Sequence, residues 1–216
     1  MWCVAELDGE YIERMEDVLD VYEKPYNKDE PVVCLDEKPV QLFANKNAEI
    51  PARKPGQIAK QDYEYVRCGT ANIFTAVEPE AGKRITKVTK KRKGADFAKF
   101  LNQVSHAYPD AKTIHLVMDN LNTHTLKSLI RFYGDKQAKN IWSRFTLHYT
   151  PKHASWLNQA EIDINVLTAQ CIRGRRIPDI TQLRSEVRAW NRSVNKKKMK
   201  ISWKFTKKKA KKKFRY

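Results

Sequence analysis

The sequence lacks the features that would assign it to a membrane, a secretory pathway or a zinc-binding class. No apolar run approaches the length of a membrane span, and acidic residues occur throughout the first 30 positions, where a signal peptide would be apolar. The four cysteines have no C-x-x-C spacing and no histidine at zinc-site intervals. This usage favours a reduced, cytoplasmic protein. Because there is no internal repeat and no Gly/Ser linker, we expect a single domain.

Negative charge is also missing from the end of the chain. Residues 192–216 contain 13 Lys and Arg and no Asp or Glu, whereas the whole chain has a formal charge of +17, so residues 1–191 carry only +4. A block of this kind attracts phosphate backbones through counterion release, without reading base sequence. It is equally typical of a solvated, frayed terminus. Both interpretations remain open at the level of sequence.

Hydrophobic patterning predicts an α/β fold. A chain of 216 residues with 41% apolar content is long enough for one sizeable core. Periods of three and four residues predict helices, and short β-branched or alternating stretches predict strands. The predicted helices cover residues 10–22, 95–107, 123–133, 136–142 and 157–171, and the predicted strands cover residues 1–5, 31–36, 62–68, 70–77, 84–89, 113–120 and 145–149.

Two of the predicted strands end in a carboxylate. Thr113 to Asn120 reads Thr-Ile-His-Leu-Val-Met-Asp-Asn, so a buried strand is followed at once by Asp119. Pro-Val-Val-Cys-Leu-Asp likewise leads into Asp36. Loops at the carboxyl ends of such strands commonly carry the chemistry of α/β folds. The alternative is that each Asp opens a turn or caps a helix, but two such strands make that explanation weaker.

A third stretch places another carboxylate at the start of a helix. It reads Thr150-Pro-Lys-His-Ala-Ser-Trp-Leu-Asn-Gln-Ala-Glu161 and leads into one buried helical stripe from Leu157. Glu161 lies about 100° from Ala160 around the helix, at the margin of the buried face. An equally good interpretation is a capping box, with Asn158 as the N-cap and Glu161 reaching back to it. Asp163 is predicted to be a solvated helix residue.

The three stretches together resemble the catalytic domain of DDE transposases of the bacterial insertion-sequence and mariner-type superfamily. The resemblance lies in Val-Val-Cys-Leu-Asp36-Glu-Lys, in Leu-Val-Met-Asp119-Asn-Leu-Asn-Thr-His, and in the Pro, Ser-Trp-Leu-Asn and Glu161 of the third stretch. It covers residues 1 to about 206. It implies a ribonuclease H-like fold, in which helices flank a mixed central sheet, followed by a basic tail at residues 207–216. The N-terminal helix-turn-helix region of such proteins is not found in this sequence.

The resemblance implies metal-dependent DNA cleavage and strand transfer, as in DNA transposition. Asp36, Asp119 and Glu161 would be the catalytic residues and the metal ligands for two Mg²⁺ or Mn²⁺ ions. Two ions supply an activated oxygen nucleophile and relieve charge on the leaving oxygen. Mg²⁺ prefers oxygen ligands and keeps several waters, so a few carboxylates are enough. The alternatives are a catalytically silent, nucleic-acid-binding relic and a ribonuclease H-like nuclease with another substrate.

Smaller predictions concern DNA contacts and partners. The expected partners are the DNA of transposon ends and target, a second copy of the chain and an N-terminal DNA-binding partner chain, without a membrane. Auxiliary residues that orient substrate or metal waters are predicted to be Asn120, Asn122 and His124, although capping and turn roles fit the asparagines equally well. DNA-binding residues are predicted from charge alone to be Lys152, His153, Lys207, Lys208, Lys209, Lys211, Lys212 and Lys213.

Overall fold

The computed structural model describes residues 7–48, 50–60 and 63–216. The strand expected at residues 1–5 lies outside the described residues. The strands are β1 (Val32–Asn45), β2 (Tyr65–Glu78), β3 (Lys83–Thr89), β4 (Ile114–Met118) and β5 (Phe145–Tyr149). The helices are α1 (Gly9–Glu23), α2 (Gly94–His106), α3 (Leu126–Tyr133), α4 (Asp135–Trp142), α5 (Ala160–Leu167), α6 (Ile180–Lys196) and α7 (Lys207–Phe214).

The five strands form one mixed sheet in the order β3-β2-β1-β4-β5. β1, β2 and β3 pair antiparallel, whereas β1, β4 and β5 pair parallel. The predicted strand at residues 31–36 is the start of a much longer strand that continues through Pro39. Pairing of β1 with β4 ends at Cys34, so beyond that point β1 has a free edge on one side. A proline is tolerated at such an edge because its missing N–H leaves no partner unsatisfied.

The two faces of the sheet are covered by different helices. Val33 and Leu35 of β1 join Leu116 and Met118 of β4 in a core that also contains buried side chains of α2, α3 and α4. Cys34 and Val117 point to the other face, where they pack with α1 and the start of α5. Side chains alternate between faces along a strand. The next residues in this alternation, Asp36 and Asp119, therefore lie on the α1 and α5 side.

The helix predicted over residues 157–171 is divided into three pieces. A short 3₁₀ turn covers Ser155–Leu157, α5 follows, and one π-helical turn covers Thr168–Ile172. The N-cap of α5 is Gln159, without a side-chain capping bond, so the predicted capping box between Asn158 and Glu161 is wrong.

The prediction for Asp163 is also wrong. Its side chain is fully buried, and Oδ1 lies 2.5 Å from Nε of Arg84 on β3. Oδ2 accepts a hydrogen bond from the Thr75 hydroxyl at 3.1 Å. Burial raises the pKa of Asp163 against the lowering effect of Arg84 and Thr75. The helix period placed Asp163 on the solvent side of α5, because the period does not show that β2 and β3 cover this part of the helix.

The basic C-terminal segment forms the ordered helix α7. The Thr206 side chain caps it by accepting from the Lys209 N–H. Nζ of Lys207 lies 2.9 Å from Asp20 and 3.0 Å from Glu16 on α1. The aromatic rings of Trp156, Phe205 and Phe214 pack together; the ring contacts are Trp156–Phe205, Trp156–Phe214 and Phe205–Phe214. None of the described helices has the length and apolar character needed to cross a membrane.

Candidate active site

The parallel pairing of β1 with β4 brings two aspartates to one edge of the sheet. Cys34 lies beside Val117 in the register, so Asp36, two residues further on, reaches the level of Asp119. Because side chains alternate between the two faces of the sheet, both aspartates lie on the same face. The Asp36 side chain accepts a hydrogen bond from the Glu37 N–H at 2.7 Å, which fixes its orientation.

Asn158 attaches the beginning of α5 to β1. This side chain is 1% exposed, and its Nδ2 donates to the Leu35 carbonyl at 2.9 Å, while its Oδ1 accepts from the Ala160 N–H at 3.1 Å. Leu35 immediately precedes Asp36, and Ala160 immediately precedes Glu161. One amide therefore joins the backbone next to two of the predicted site carboxylates. From the sequence, Asn158 was predicted only to be a possible helix cap.

The electrostatics of Asp36 show that the carboxylates are close enough to interact. Its pKa rises to about 7, chiefly because burial disfavours the charged form. The Glu37 N–H lowers the pKa, and the negative charges of Glu161, Asp119 and Glu37 raise it further. Asp36 and the three acidic groups that repel it form a region of negative potential suited to a cation.

The residues present fit a hard divalent ion. The three predicted ligands supply only carboxylate oxygens, which Mg²⁺ and Mn²⁺ prefer. The Asp119 side chain is 37% exposed, so an ion from solvent can reach its carboxylate. Its Oδ1 is buried and has no aligned hydrogen-bond partner among the described residues, with the His124 imidazole 2.7 Å away. Within the described ranges, no three His, Cys, Asp or Glu side chains are already gathered tightly enough to hold a metal.

His124 lies directly behind Asp119. Its Nδ1 is 2.7 Å from Asp119 Oδ1, and its Nε2 is 3.2 Å from Glu37 Oε2. Both contacts are at ion-pair distance without hydrogen-bond alignment. The hydrogen bond of His124 Nδ1 is made with the main-chain carbonyl of Asp119, at 3.3 Å. Burial lowers the pKa of His124, but the two carboxylates outweigh it and raise the pKa to about 9. The imidazole is therefore a cation at neutral pH.

Glu37 is the residue of this site that the sequence analysis missed. It was seen as the second member of an acidic pair with Asp36, and no role was assigned to it. The side chain is 3% exposed, and its Oε1 lies 3.7 Å from Nη1 of Arg92. The sequence offered one signal for Glu37, its position next to a predicted metal ligand. That the Glu37 side chain is buried cannot be predicted from an acidic pair alone.

A cleft of about 830 Å³ opens beside Asp119. One wall is the beginning of α1, including Arg14, and the other is formed by residues 150–153 and 155. The predicted DNA-binding residues Lys152 and His153 line this cleft and are exposed, as is Asn120. Asn122 is exposed in the same loop. The cleft offers a polar path, partly basic, that leads to the acidic edge of the sheet.

The lysines of α7 are not equivalent. Lys207 is held by Asp20 and Glu16, and those carboxylates raise its pKa. Lys211 lies 3.6 Å from Glu16. Nζ of Lys209 donates to the Lys204 carbonyl at 2.7 Å. The exposed lysines of the helix are Lys208, Lys209, Lys211, Lys212 and Lys213.

Comparison with known proteins assigns the chain to a family. The model of the DDE superfamily endonucleases matches residues 31–184, which is more than half of the chain. This range contains Asp36, Asp119 and Glu161. None of the curated proteins matches the chain.

Solved structures of the Mos1 mariner transposase share the fold. The paired end complex with Mn matches with a TM-score of 0.59 and 14% identity, over 92% of this chain and 61% of that chain. The strand transfer complex matches with a TM-score of 0.59 and 13% identity, over 60% of that chain. The mixed sheet with flanking helices is thus the predicted ribonuclease H-like fold. This chain spans about three fifths of the length of those Mos1 chains.

Proposed function

Because this chain belongs to the DDE superfamily endonucleases, we propose that it is a transposase catalytic domain that cleaves DNA strands and joins them to a target. Family membership implies a metal-dependent nuclease or transferase in general terms. The Mos1 structures of the same fold are complexes of paired transposon ends and of strand transfer. They motivate DNA as the substrate and transposition as the reaction.

The proposed metal ligands are Asp36, Asp119 and Glu161. Their carboxylates would together hold two divalent ions. Mg²⁺ or Mn²⁺ is proposed from the all-carboxylate donor set, and Mos1 complexes with Mn and with Mg are known. When bound, such ions activate an oxygen nucleophile and stabilise the leaving oxygen of an in-line displacement. The chain's own contribution is to hold these carboxylates at one edge of the sheet.

The observation that carries the proposal is the convergence of three chain segments. The register of β1 and β4 brings Asp36 level with Asp119, and Asn158 joins the turn before Glu161 to Leu35. These acidic residues are separated by long stretches of sequence, and the negative charges of Asp119 and Glu161 raise the pKa of the largely desolvated Asp36 carboxyl. A divalent cation bound among them would relieve that repulsion.

DNA is proposed to approach through the cleft beside Asp119. Lys152 and His153 would contact phosphates near the site, and the exposed lysines of α7 would hold DNA further away. Recognition of transposon ends is proposed to need an N-terminal DNA-binding region or partner chain. A homodimer is proposed because strand transfer acts at two ends.

Cleavage of a labelled DNA duplex, with and without Mg²⁺ or Mn²⁺, tests the proposed activity. The wild-type chain should nick DNA only with the metal, and Asp36→Ala and Asp119→Ala should abolish nicking while retaining the circular dichroism spectrum. Asp135→Ala is the matched control, because this exposed aspartate pairs with Lys139 on α4, within the same helix. Metal-dependent nicking by both site variants would refute the assignment of the ligands. DNA binding without cleavage by the wild type would identify a silent relic instead.

A further inference from the structure

Glu37 is linked to both predicted metal-binding aspartates, to Asp36 directly and to Asp119 through His124. Its backbone N–H donates to Asp36 Oδ1 at 2.7 Å. Its side-chain Oε2 lies 3.2 Å from His124 Nε2, and His124 Nδ1 lies 2.7 Å from Asp119 Oδ1. One residue therefore connects the carboxylate at the end of β4 with the carboxylate on β1.

Glu37 cannot simply be a further ligand on the same side as Asp36. Adjacent strand residues point to opposite faces, and Glu37 follows Val33 and Leu35 on the α2 side of the sheet. His124 is on that side too, because its ring lies over the Phe97 ring of α2, with centroids 4.5 Å apart. The Glu37 carboxylate thus faces the rear of the site, where it meets an imidazole.

The imidazole itself has little freedom to turn. The backbone N–H of His124 donates to the Leu121 carbonyl at 2.8 Å, which closes a turn just before α3 begins. The side chain is 1% exposed and is packed on Phe97. With Glu37 at Nε2, the Nδ1 atom faces Asp119, where it lies 2.7 Å from the carboxylate and 3.3 Å from the main-chain carbonyl. A ligand carboxylate that is held from behind in this manner keeps its orientation for a metal.

We propose that Glu37 is a positioning residue for the metal site, holding Asp36 through its backbone and Asp119 through His124. The proposal deepens the proposed function and rests on Asp36 and Asp119 being metal ligands. Glu37 touches neither substrate nor metal in this account. Loss of the Glu37 side chain should therefore raise the metal concentration that the site requires, and should not weaken the binding of DNA.

Removing the carboxylate of Glu37 should weaken divalent metal binding by roughly 10- to 100-fold, the usual cost of losing a partner that orients a ligand. Glu37→Gln should recover most of this loss, because the amide has the shape of the carboxylate and keeps an oxygen beside His124 Nε2. His124→Ala should have an effect similar to that of Glu37→Ala. The double variant should be no worse than His124→Ala alone, since the two residues act in series.

The test is a titration of the full chain with Mn²⁺, in which electron paramagnetic resonance measures the free ion. The set comprises the wild type, Glu37→Ala, Glu37→Gln, His124→Ala, the double variant and Asp36→Ala. DNA affinity is measured in parallel without metal and should stay within about twofold of the wild type for the Glu37 variants. Because the readout is metal binding, it does not require that the chain cut DNA.

His148→Ala is the matched control for folding. His148 is a buried histidine on β5 whose Nδ1 lies 2.8 Å from Asp17, so its removal breaks a similar histidine–carboxylate contact away from the site. It should lower stability and leave Mn²⁺ affinity unchanged. If Glu37→Ala does not fold, Glu37→Gln and His124→Ala still report on the same connection.

The outcomes separate this proposal from the proposed function. Mn²⁺ binding that is lost in Asp36→Ala but unchanged in Glu37→Ala and His124→Ala overturns the positioning role and leaves the metal site intact. Mn²⁺ binding that survives Asp36→Ala, or no binding by the wild type, overturns the metal site and the positioning role with it. A loss in both Glu37→Ala and His148→Ala marks a structural effect and also overturns the proposal.

Discussion

Asn158 Nδ2 donates a hydrogen bond to the carbonyl of Leu35 at 2.9 Å, across a gap of more than a hundred residues in the chain. The contact joins the beginning of α5 to the centre of the sheet. It places the turn that carries Glu161 next to the strand that carries Asp36. The relative position of these two carboxylates therefore depends on a neutral side chain that has no chemical role.

Replacing Asn158 with Ala should impair metal-dependent cleavage more than it impairs folding. The change leaves the Leu35 carbonyl and the Ala160 N–H without their partner, which costs about 1–3 kcal/mol of stability for buried groups. Urea denaturation measures that loss, and the metal concentration for half-maximal cleavage measures the displacement of Glu161. We expect the required metal concentration to rise by about tenfold or more.

Asn195→Ala provides the comparison for Asn158→Ala. Asn195 also makes two hydrogen bonds to backbone, accepting from the Arg84 N–H at 2.8 Å and donating to the Arg84 carbonyl at 2.9 Å. Its loss should reduce stability similarly without changing the metal requirement. Equal metal requirements in the Asn158 and Asn195 variants would mean that Asn158 does not position Glu161.

The stability of the metal-free protein should depend on the ionisation of Asp36. Its pKa is about 7 in the fold against an ordinary value of 3.8, so the folded state binds the proton more tightly than the unfolded chain. The stabilising contribution is complete below pH 4 and is lost as the pH rises through 7. Asp36→Asn should therefore gain stability relative to wild type between pH 4 and pH 8, by at most about 4 kcal/mol, at roughly 1.4 kcal/mol per pH unit.

Thermal denaturation across this pH range, in EDTA and in Mg²⁺, checks the prediction. Mg²⁺ should stabilise the wild type most above pH 7, where Asp36 is ionised, and should not stabilise Asp36→Asn. An Asp36→Asn curve that runs parallel to that of the wild type in EDTA would show that Asp36 titrates normally.

The buried pair of Arg84 and Asp163 should be essential for folding stability. The two side chains are 3% and 0% exposed, and breaking such a pair leaves one uncompensated buried charge. We expect Asp163→Ala to cost about 3–5 kcal/mol. A double variant, Arg84→Met with Asp163→Leu, should recover much of that loss because it removes both charges together. Urea denaturation of the two single variants and the double variant measures the coupling, and strictly additive losses would contradict it.

The outward lysines of α7 should contribute to DNA binding through charge alone. Lys208→Ala with Lys212→Ala should lower the slope of log affinity against log salt by about 2, since each phosphate contact contributes about 1. Point variants are preferable to deletion of residues 207–216, because deletion would uncover Trp156, Phe205 and α1. Lys139→Ala, on α4, is the control and should leave the slope unchanged. Fluorescence anisotropy at several salt concentrations distinguishes the two, and an unchanged slope in the α7 variant excludes this helix from the DNA interface.

Much of the fold could be predicted because its periodic segments are strongly patterned. Helix α1 and strands β4 and β5 lie within about a residue or two of their predicted bounds. An extended segment was expected at residues 39–44, but not that it joins residues 31–36 in the single strand β1, because Pro39 cannot donate to a neighbouring strand. The order of helix α7 was missed as well, since its lysine-rich sequence gives no sign of acidic partners on α1.

The site was predictable only as a set of candidate carboxylates. Asp36, Asp119 and Glu161 stand out because each follows a recognisable stretch, and their roles remain predictions. The supporting residues Glu37 and Asn158 could not be assigned, because their roles depend on partners far away in sequence. For Asp163, the same dependence reversed the expectation, since β3 supplies an arginine that the helix pattern does not contain.

The most direct test of the central claim is a crystal structure of the chain soaked with Mn²⁺, with anomalous scattering used to locate the ions. The account predicts two anomalous peaks roughly 3.5–4 Å apart, bound by the carboxylates of Asp36, Asp119 and Glu161. Mn²⁺ ions bound only elsewhere, with the Glu161 carboxylate turned away from Asp36 and Asp119, would contradict it.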